Sequence, residues 1–285
     1  MLPIIWTRVM TSMSGKLLCR VVAIGAWGRF FSDWNQLASL LQGTSKGFDG
    51  NPASPNPEII PSNERRRAPL SVKLAVEASS QCLDMAGTNG QDLSCVFGSG
   101  LGDTDLTDYM CKVLASENKE LSPTKFHNSV HNAPAGYWTI STKAMRSANS
   151  IAGYGYTASL ALLEAMIQCE IEKAPILLSL YDSPVTTILK PILKNEMPFA
   201  LSLLLMPVDF DHSGWSVLVE AESTMGEFSW PALTSDHTGI LELYDKNPSA
   251  RILCLAELLC SSENFGELTM PLSSQTGLYI TAREW

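Results

Sequence analysis

Three features of the sequence predict an α/β fold whose strands are covered on both faces. Short apolar runs alternate with stretches of helical periodicity up to about residue 180. Two runs of strand length, Pro175 to Tyr181 and Ala200 to Met206, are apolar throughout, which is typical of central strands between helices. With 285 residues, 45% of them hydrophobic and 17% charged, the chain can bury a sizeable core.

The elements before residue 115 follow from local signals. Asp33 is placed to cap a helix that runs to about Leu41, and Gly87 is placed to end a helix of regular apolar spacing. Residues 44–64 hold four prolines and predict a loop, and the Arg65-Arg66-Arg67 cluster behind it predicts a solvated surface. The predicted elements here are strands Leu17 to Gly25 and Leu93 to Phe97, and helices Leu70 to Met85 and Thr104 to Leu114.

Later elements are read in the same way. Pro134 opens a helix that runs to about Met145, because proline is favoured in a first helical turn. The helix from Tyr156 to Cys169 is apolar on nearly every side, so it is predicted to be buried. The remaining predictions are an alternating strand from Trp215 to Glu220, a helix from Arg251 to Leu259 and a closing strand from Thr276 to Ala282.

Charge and cysteine content exclude several functional classes. The net charge of −9 gives no electrostatic footprint for nucleic acid or an anionic membrane. Seven scattered cysteines form no CxxC pair, which favours a reducing compartment without disulfides or a zinc site. No apolar run reaches the roughly 18 residues of a membrane span. We therefore expect a soluble, cytoplasmic chain that starts at Met13, with residues 1–12 as an upstream extension.

Three motifs suggest chemistry, and each has a simpler explanation. The glycines of Gly98-Ser99-Gly100-Leu101-Gly102 lack the spacing of a dinucleotide-binding loop, so a tight turn is favoured. His127 and His131 have the i, i+4 spacing of metal ligands, but Pro134 and the asparagines argue against a helix there, which favours a loop without metal. Ser150 with His237 as base would suit an acyl hydrolase or acyltransferase, although the G-x-S-x-G pattern is absent.

Several segments, taken in order, resemble the β-ketoacyl synthases. Val21 to Gly28 is similar to their opening strand and glycine turn, and Val96 to Gly102 to their second glycine turn. Phe126 to Trp138 resembles the segment that precedes their nucleophilic cysteine. The resemblance spans roughly residues 17–206 and extends to the short synthase-like proteins of aryl-polyene gene clusters and to chain-length factors.

The resemblance implies a thiolase-like layered fold (αβαβα) with a shortened C-terminal half. On this basis residues 13–285 form one domain, in which residues 13–206 are the better-matching half and residues 207–285 a reduced remainder. The sequence differs from these enzymes at the nucleophile, because the position at which the resemblance places the cysteine is about Ala152 or Gly153. The histidine motifs of the condensing enzymes are absent as well, since neither His212 nor His237 fits them.

A ketosynthase relative without a nucleophile implies a partner that supplies the chemistry. The resemblance therefore predicts a non-catalytic subunit without metal or cofactor, which pairs with an active ketosynthase and helps to set acyl chain length. An acyl carrier protein would dock mainly on that partner. Two alternatives remain open, namely the Ser150/His237 enzyme and a homodimeric acyl-binding module. The residues predicted to face the partner or its acyl pocket are Asn128, His131, Asn132, Tyr137, Trp138, Tyr154 and Tyr156.

Overall fold

The computed structural model describes residues 15–47, 54–261 and 265–285, and its strands form one mixed sheet. The strands are β1 (Lys16–Gly28), β2 (Ser94–Gly98), β3 (Ala148–Ile151), β4 (Ile176–Asp182), β5 (Phe199–Met206), β6 (Val217–Met225), β7 (Phe265–Pro271) and β8 (Thr276–Glu284). The helices are α1 (Trp34–Leu41), α2 (Ser62–Arg65), α3 (Leu70–Ala86), α4 (Thr104–Ala115), α5 (Pro123–Asn128), α6 (Ala133–Thr142), α7 (Thr157–Glu172), α8 (Lys190–Leu193), α9 (Thr238–Lys246) and α10 (Leu253–Leu259). Short 3₁₀ turns lie at Tyr154–Tyr156 and Ser249–Ile252.

Strand direction decides where the functional site can lie. The order across the sheet is β3-β2-β4-β5-β1-β6-β8-β7. β2 runs parallel to both β3 and β4, and the other neighbouring pairs are antiparallel. Parallel neighbours need crossover connections, which α4 to α6 and then α7 provide. The carboxyl ends of β2, β3 and β4 therefore meet at one end of the sheet.

Two cores lie on opposite faces of the sheet, so the fold has three layers. In β4, Leu178 and Leu180 belong to one core, whereas Leu177 and Tyr181 belong to the other. Helices α3 and α6 cover the second face, and α1, α7, α9 and α10 cover the first. The prediction of an α/β fold with strands covered on both faces is confirmed, and the period of two along β4 is its physical basis.

Small residues bring α3 unusually close to the sheet. A Cβ added to Gly25 of β1 would lie 2.0 Å from the backbone oxygen of Ala78 in α3. Three buried serine hydroxyls continue this contact. Ser79 lies 3.2 Å from Ser202, and Ser202 donates to Ser179 at 3.0 Å. The polar groups of this tight contact therefore satisfy one another.

Most predicted elements are confirmed with ends shifted by a few residues. Asp33 caps α1 by accepting from Gln36 N at 2.9 Å, and Gly87 ends α3 with φ of +63°. The helix predicted over Arg251 to Leu259 is divided into a 3₁₀ turn and α10. Six elements were not predicted, namely strands β3 and β7 and helices α2, α5, α8 and α9. The two strands lie at the edges of the sheet. β3 is short and mostly polar, and β7 mixes polar with apolar residues, so neither shows the continuous apolar run of a central strand.

The strands of residues 207–285 add to the same sheet as those of residues 15–206. β6 pairs with β1, and β8 and β7 add two further antiparallel strands. The five layers of a complete thiolase-like fold are thus reduced to three in the described residues, as expected for a shortened C-terminal half. The predicted extension, residues 1–12, lies outside the described residues. Within the described part of the chain, none of the helices has the length and hydropathy of a membrane span.

Candidate functional site at the carboxyl ends of β2, β3 and β4

The turn between β3 and α7 has the geometry of a nucleophile turn. Tyr154 has φ of +48°, a left-handed conformation that is uncommon for a bulky residue. The turn is fixed by Thr157, whose hydroxyl accepts from Gly153 N and donates to Tyr154 O, both at 2.9 Å. A sharp, strained strand-to-helix turn is how many acyl-transfer enzymes expose a nucleophile. This turn therefore combines a left-handed residue with side-chain hydrogen bonds on both sides of it.

Two residues of this turn carry no nucleophilic side chain. Ala152 and Gly153 offer no nucleophilic atom, and a Cβ on Gly153 would lie 2.5 Å from Leu160 Cδ1. The residue at the strained position is Tyr154, whose phenol is 55% exposed. The thiol of Cys95 lies at the other end of β2, opposite Ala148, and is buried, which raises its pKa to about 12, so it stays protonated and unreactive. The turn thus presents the aromatic ring of Tyr154 directly after Ala152 and Gly153, the two positions at which the resemblance places a cysteine.

The glycine turn after β2 packs directly against the Tyr154 turn. A Cβ on Gly100 would lie 3.0 Å from Tyr154 O and 2.6 Å from Pro248 Cβ. His131 donates from Nε2 to Ser99 O at 3.2 Å, because a carbonyl oxygen can only accept. Gly102, with φ of +62°, turns the chain into α4. The prediction of a tight turn in this motif is confirmed, and the turn joins His131 to Tyr154.

Asp182 is the buried centre of this end of the sheet, and it was not among the residues predicted from the sequence. It is the last residue of β4 and is completely buried. Its carboxylate accepts from the hydroxyls of Ser99 and Ser249, both at 2.7 Å. It also accepts from three backbone N–H groups, of Gly100 at 3.2 Å, Leu101 at 3.0 Å and Ser249 at 3.2 Å. Burial raises the pKa of Asp182, and these donors oppose the rise without cancelling it.

Asn247 continues this network into the C-terminal part of the chain. Its Nδ2 donates to Met197 O at 3.0 Å, and its Oδ1 accepts from Ser249 N and Ala250 N at 3.0 and 3.1 Å. The side chain is buried, so these bonds hold the 3₁₀ turn that begins at Ser249. A polar residue directly after a buried strand was the only sequence signal for Asp182, and nothing local distinguishes Asn247.

The structure divides the seven residues predicted to face a partner. His131, Asn132 and Tyr154 are exposed, and Tyr137 and Tyr156 are half-buried. Asn128 is buried, and it donates to Arg67 O and accepts from the hydroxyl of Tyr137. Trp138 is fully buried in the core between α3, α6 and the sheet. Neither side chain is on the surface, because Asn128 at the end of α5 bonds inside the fold and the inward face of α6 packs Trp138 into the core.

Ser150 and His237 do not form a catalytic pair. Ser150 was expected in a turn before a helix, but it lies within β3 beside Phe97 of β2, and its buried Oγ has no partner among the described residues. His237 Nδ1 accepts from Ile240 N at 3.1 Å and caps α9, while Nε2 donates to Lys46 O at 3.2 Å. Both nitrogens of the proposed base therefore serve the fold.

His127 and His131 do not share one helix. His127 belongs to α5, which ends at Asn128, and His131 lies in the connection to α6. The two histidines therefore lie on different elements, and the short helix that holds His127 was not predicted. Among the described residues, no group of three or more His, Cys, Asp and Glu side chains could hold a metal ion.

An open groove of about 440 Å³ lies beside α6. Its lining includes Ile60, Val130, Tyr137 and Ile140, with His127 and Glu64. Val130 and Ile140 are 51% and 78% exposed, which is unusual for large apolar side chains. The groove belongs to the same stretch of chain that resembles the ketosynthase segment before the nucleophile.

The sequence matches the family described as β-ketoacyl synthase, N-terminal domain, over residues 34–239, which is more than half of the chain. The chain therefore belongs to the β-ketoacyl synthase family. None of the curated protein sequences matches significantly.

Solved structures similar to this chain include ketosynthase complexes. One is described as the ketosynthase ApeO with its chain length factor ApeC from Xenorhabdus doucetiae, with 17% identity and a TM-score of 0.66. A second is the ishigamide ketosynthase/chain length factor (11%, 0.68), and a third is AntDE:AntF, a type II carrier protein with its ketosynthase (10%, 0.72). Each alignment covers 93% of this chain and 99% of the other. These similarities confirm the thiolase-like ketosynthase fold.

Proposed function

We propose that this chain is a non-catalytic, cytoplasmic ketosynthase-like subunit that pairs with an active ketosynthase and forms part of its acyl pocket. The observation that carries the proposal is the turn between β3 and α7. It keeps the strained backbone of a nucleophile turn but holds Ala152, Gly153 and an exposed Tyr154 in place of a cysteine. A chain with this fold and no nucleophile can take part in the reaction only if a second subunit supplies the catalytic residues.

The surface around the vacant turn is suited to a protein partner. β3 is a four-residue edge strand that pairs only with β2 within the described residues. Ile140 and Met145, which lie shortly before β3, are 78% and 93% exposed. A free strand edge beside exposed apolar side chains favours pairing with another chain. The solved complexes named above supply the precedent for such a partner.

Helix α4 offers a wall for an acyl chain. Of its twelve residues only Thr104 is buried, although the helix carries Leu106, Met110 and Val113 at the spacing of one face. Leu114 is 56% exposed. Other parts of the described chain bury little of this apolar face, so it is available to a second chain or an acyl group. α4 also begins directly after the glycine turn that contacts Tyr154. We infer that α4 lines the pocket shared with the partner.

Co-expression with a candidate ketosynthase tests the pairing. We expect the two chains to co-elute in gel filtration and Tyr154→Arg to separate them, because a buried interface cannot accommodate an unpaired charge. Met225→Arg is the matched control, since Met225 is 78% exposed on β6. A chain that never co-elutes with a ketosynthase contradicts the proposal. A stable homodimer that retains fatty acid on purification would favour the acyl-binding module.

Two further measurements separate the silent subunit from an enzyme. Intact mass of the chain alone after incubation with acyl thioesters should show no acyl adduct, and an adduct lost on Ser150→Ala would support the hydrolase. In the complex, Met110→Trp should shorten the products because it narrows the proposed pocket, whereas Ile171→Trp should not. Ile171 is 75% exposed near the end of α7 and serves as the control.

A further inference from the structure

The buried Asp182 carboxylate joins two parts of the chain that are far apart in sequence. On one side it accepts from Ser99, Gly100 and Leu101, which form the glycine turn after β2. On the other side it accepts from the backbone and side chain of Ser249, in the C-terminal part. The group is acceptor-only when ionised, and all five partners are donors. Among the described residues it has no cationic partner, so these bonds alone satisfy it.

The glycine turn lies between Asp182 and the surface residues Tyr154 and His131 and contacts all three. Ser99 O holds the ring of His131, and the backbone of Gly100 lies against Tyr154 O on one side and Pro248 on the other. These contacts are close enough that a Cβ on Gly100 would overlap both neighbours. A shift of the turn must therefore move Tyr154 and His131, or open a gap beside them.

We propose that Asp182 is a positioning residue that makes the partner-facing surface at Tyr154 and His131 depend on the docking of residues 247–250. Residues 247–250 thereby do more than cover the sheet, because through Asp182 and the glycine turn they fix the conformation of the turn at Tyr154. The inference rests on the proposed function for the identity of the partner, but the coupling itself can be measured in the isolated chain.

Hydrogen exchange in the isolated chain tests the coupling. Ser249→Ala removes one charge-assisted bond to Asp182 and leaves the rest of the network in place. We expect the amides of Gly100, Leu101 and Tyr156 to exchange about ten-fold faster, since a bond to a charged group contributes enough for such a change. Ser229→Ala, at an exposed site in the same part of the chain, is the control. A purely local role for Ser249 would change only the amides near residue 249, and that result would overturn the proposal.

Partner binding supplies the second test. In Asp182→Asn, one acceptor oxygen becomes an NH₂ group that faces other donors, so the turn should be displaced. Ser249→Ala is the milder variant and replaces Asp182→Asn in this test if the latter does not fold. We expect it to raise the Kd for the partner about ten-fold. If the native chain binds no ketosynthase, the proposed function fails while the exchange result still decides the coupling. If it binds and Ser249→Ala binds equally well with unchanged exchange, the coupling is wrong and the proposed function stands.

Discussion

Single residues in this chain show how neighbours can hold a strained turn in place. Tyr154 retains a left-handed conformation that costs of the order of 1–3 kcal/mol for a non-glycine residue. Such strain persists only where the surroundings impose it. Here Thr157 bonds on both sides of Tyr154, and Gly100 closes the space beneath it. The turn is therefore held by its neighbours, independently of the side chain it presents.

The ionisation of Asp182 should make stability depend on pH. Its native pKa is raised above the ordinary value of 3.8 by burial, so the native state keeps this proton at a pH where the unfolded state has released it. The contribution of Asp182 to the free energy of unfolding should therefore fall as the pH rises from about 3.8 to the raised native pKa, and then stay constant. Urea unfolding across this pH range gives the free energy of unfolding of the native chain and of Asp182→Asn. The difference between the two values measures the contribution of Asp182. A difference that increases with pH would show that the five donors outweigh burial.

His237 is expected to contribute to stability and to have no part in catalysis. His237→Ala removes the side-chain cap of α9 and should lower the free energy of unfolding by about 1 kcal/mol. His237→Asn keeps an acceptor for Ile240 N and should recover part of that loss. Urea denaturation distinguishes the two variants. Equal stability of His237→Ala and the native chain would contradict the capping role.

At the scale of elements, the close contact of α3 with β1 is the most sensitive point of the fold. Gly25→Ala would place a methyl group against the backbone of Ala78 and Cys82, so helix and strand would have to separate. We expect a loss of about 3 kcal/mol or more. Gly136→Ala is the control, because no atom of the described residues lies within 4 Å of its added Cβ in α6. That variant should be more stable by about 0.5–1 kcal/mol. Similar thermal unfolding of both variants would rule out the tight contact.

The edge elements explain why sequence reasoning succeeded in one part of the fold and failed in another. β4 and β5 are apolar because both faces are covered, and this pattern is visible in the sequence. β3 is only Ala148-Asn149-Ser150-Ile151, and three of its four residues carry no strong preference for a strand. It forms because β2 offers a parallel edge, which is a tertiary condition.

At the scale of the whole molecule, β1 ties the two parts of the chain together. It pairs with β5 on one side and with β6 on the other. A fragment of residues 15–206 should therefore expose the β6 side of a long central strand and aggregate, because an unpaired apolar edge recruits other chains. Expression and gel filtration of this fragment measure the effect, with the full chain as control. A soluble fragment that unfolds cooperatively would instead make residues 13–206 an independent domain.

The sequence by itself determined the α/β class, the covered central strands, the tight glycine turn and the absence of a cysteine before α7, because each depends on local pattern or on residue identity. Only the tertiary structure showed that Trp138 and Asn128 are buried, that His237 is a helix cap, and that Asp182 joins Ser99 to Ser249. The reason is physical: burial and hydrogen-bond partners depend on which strand ends meet. That juxtaposition is fixed by the parallel arrangement of β2, β3 and β4, and no local stretch of sequence encodes it.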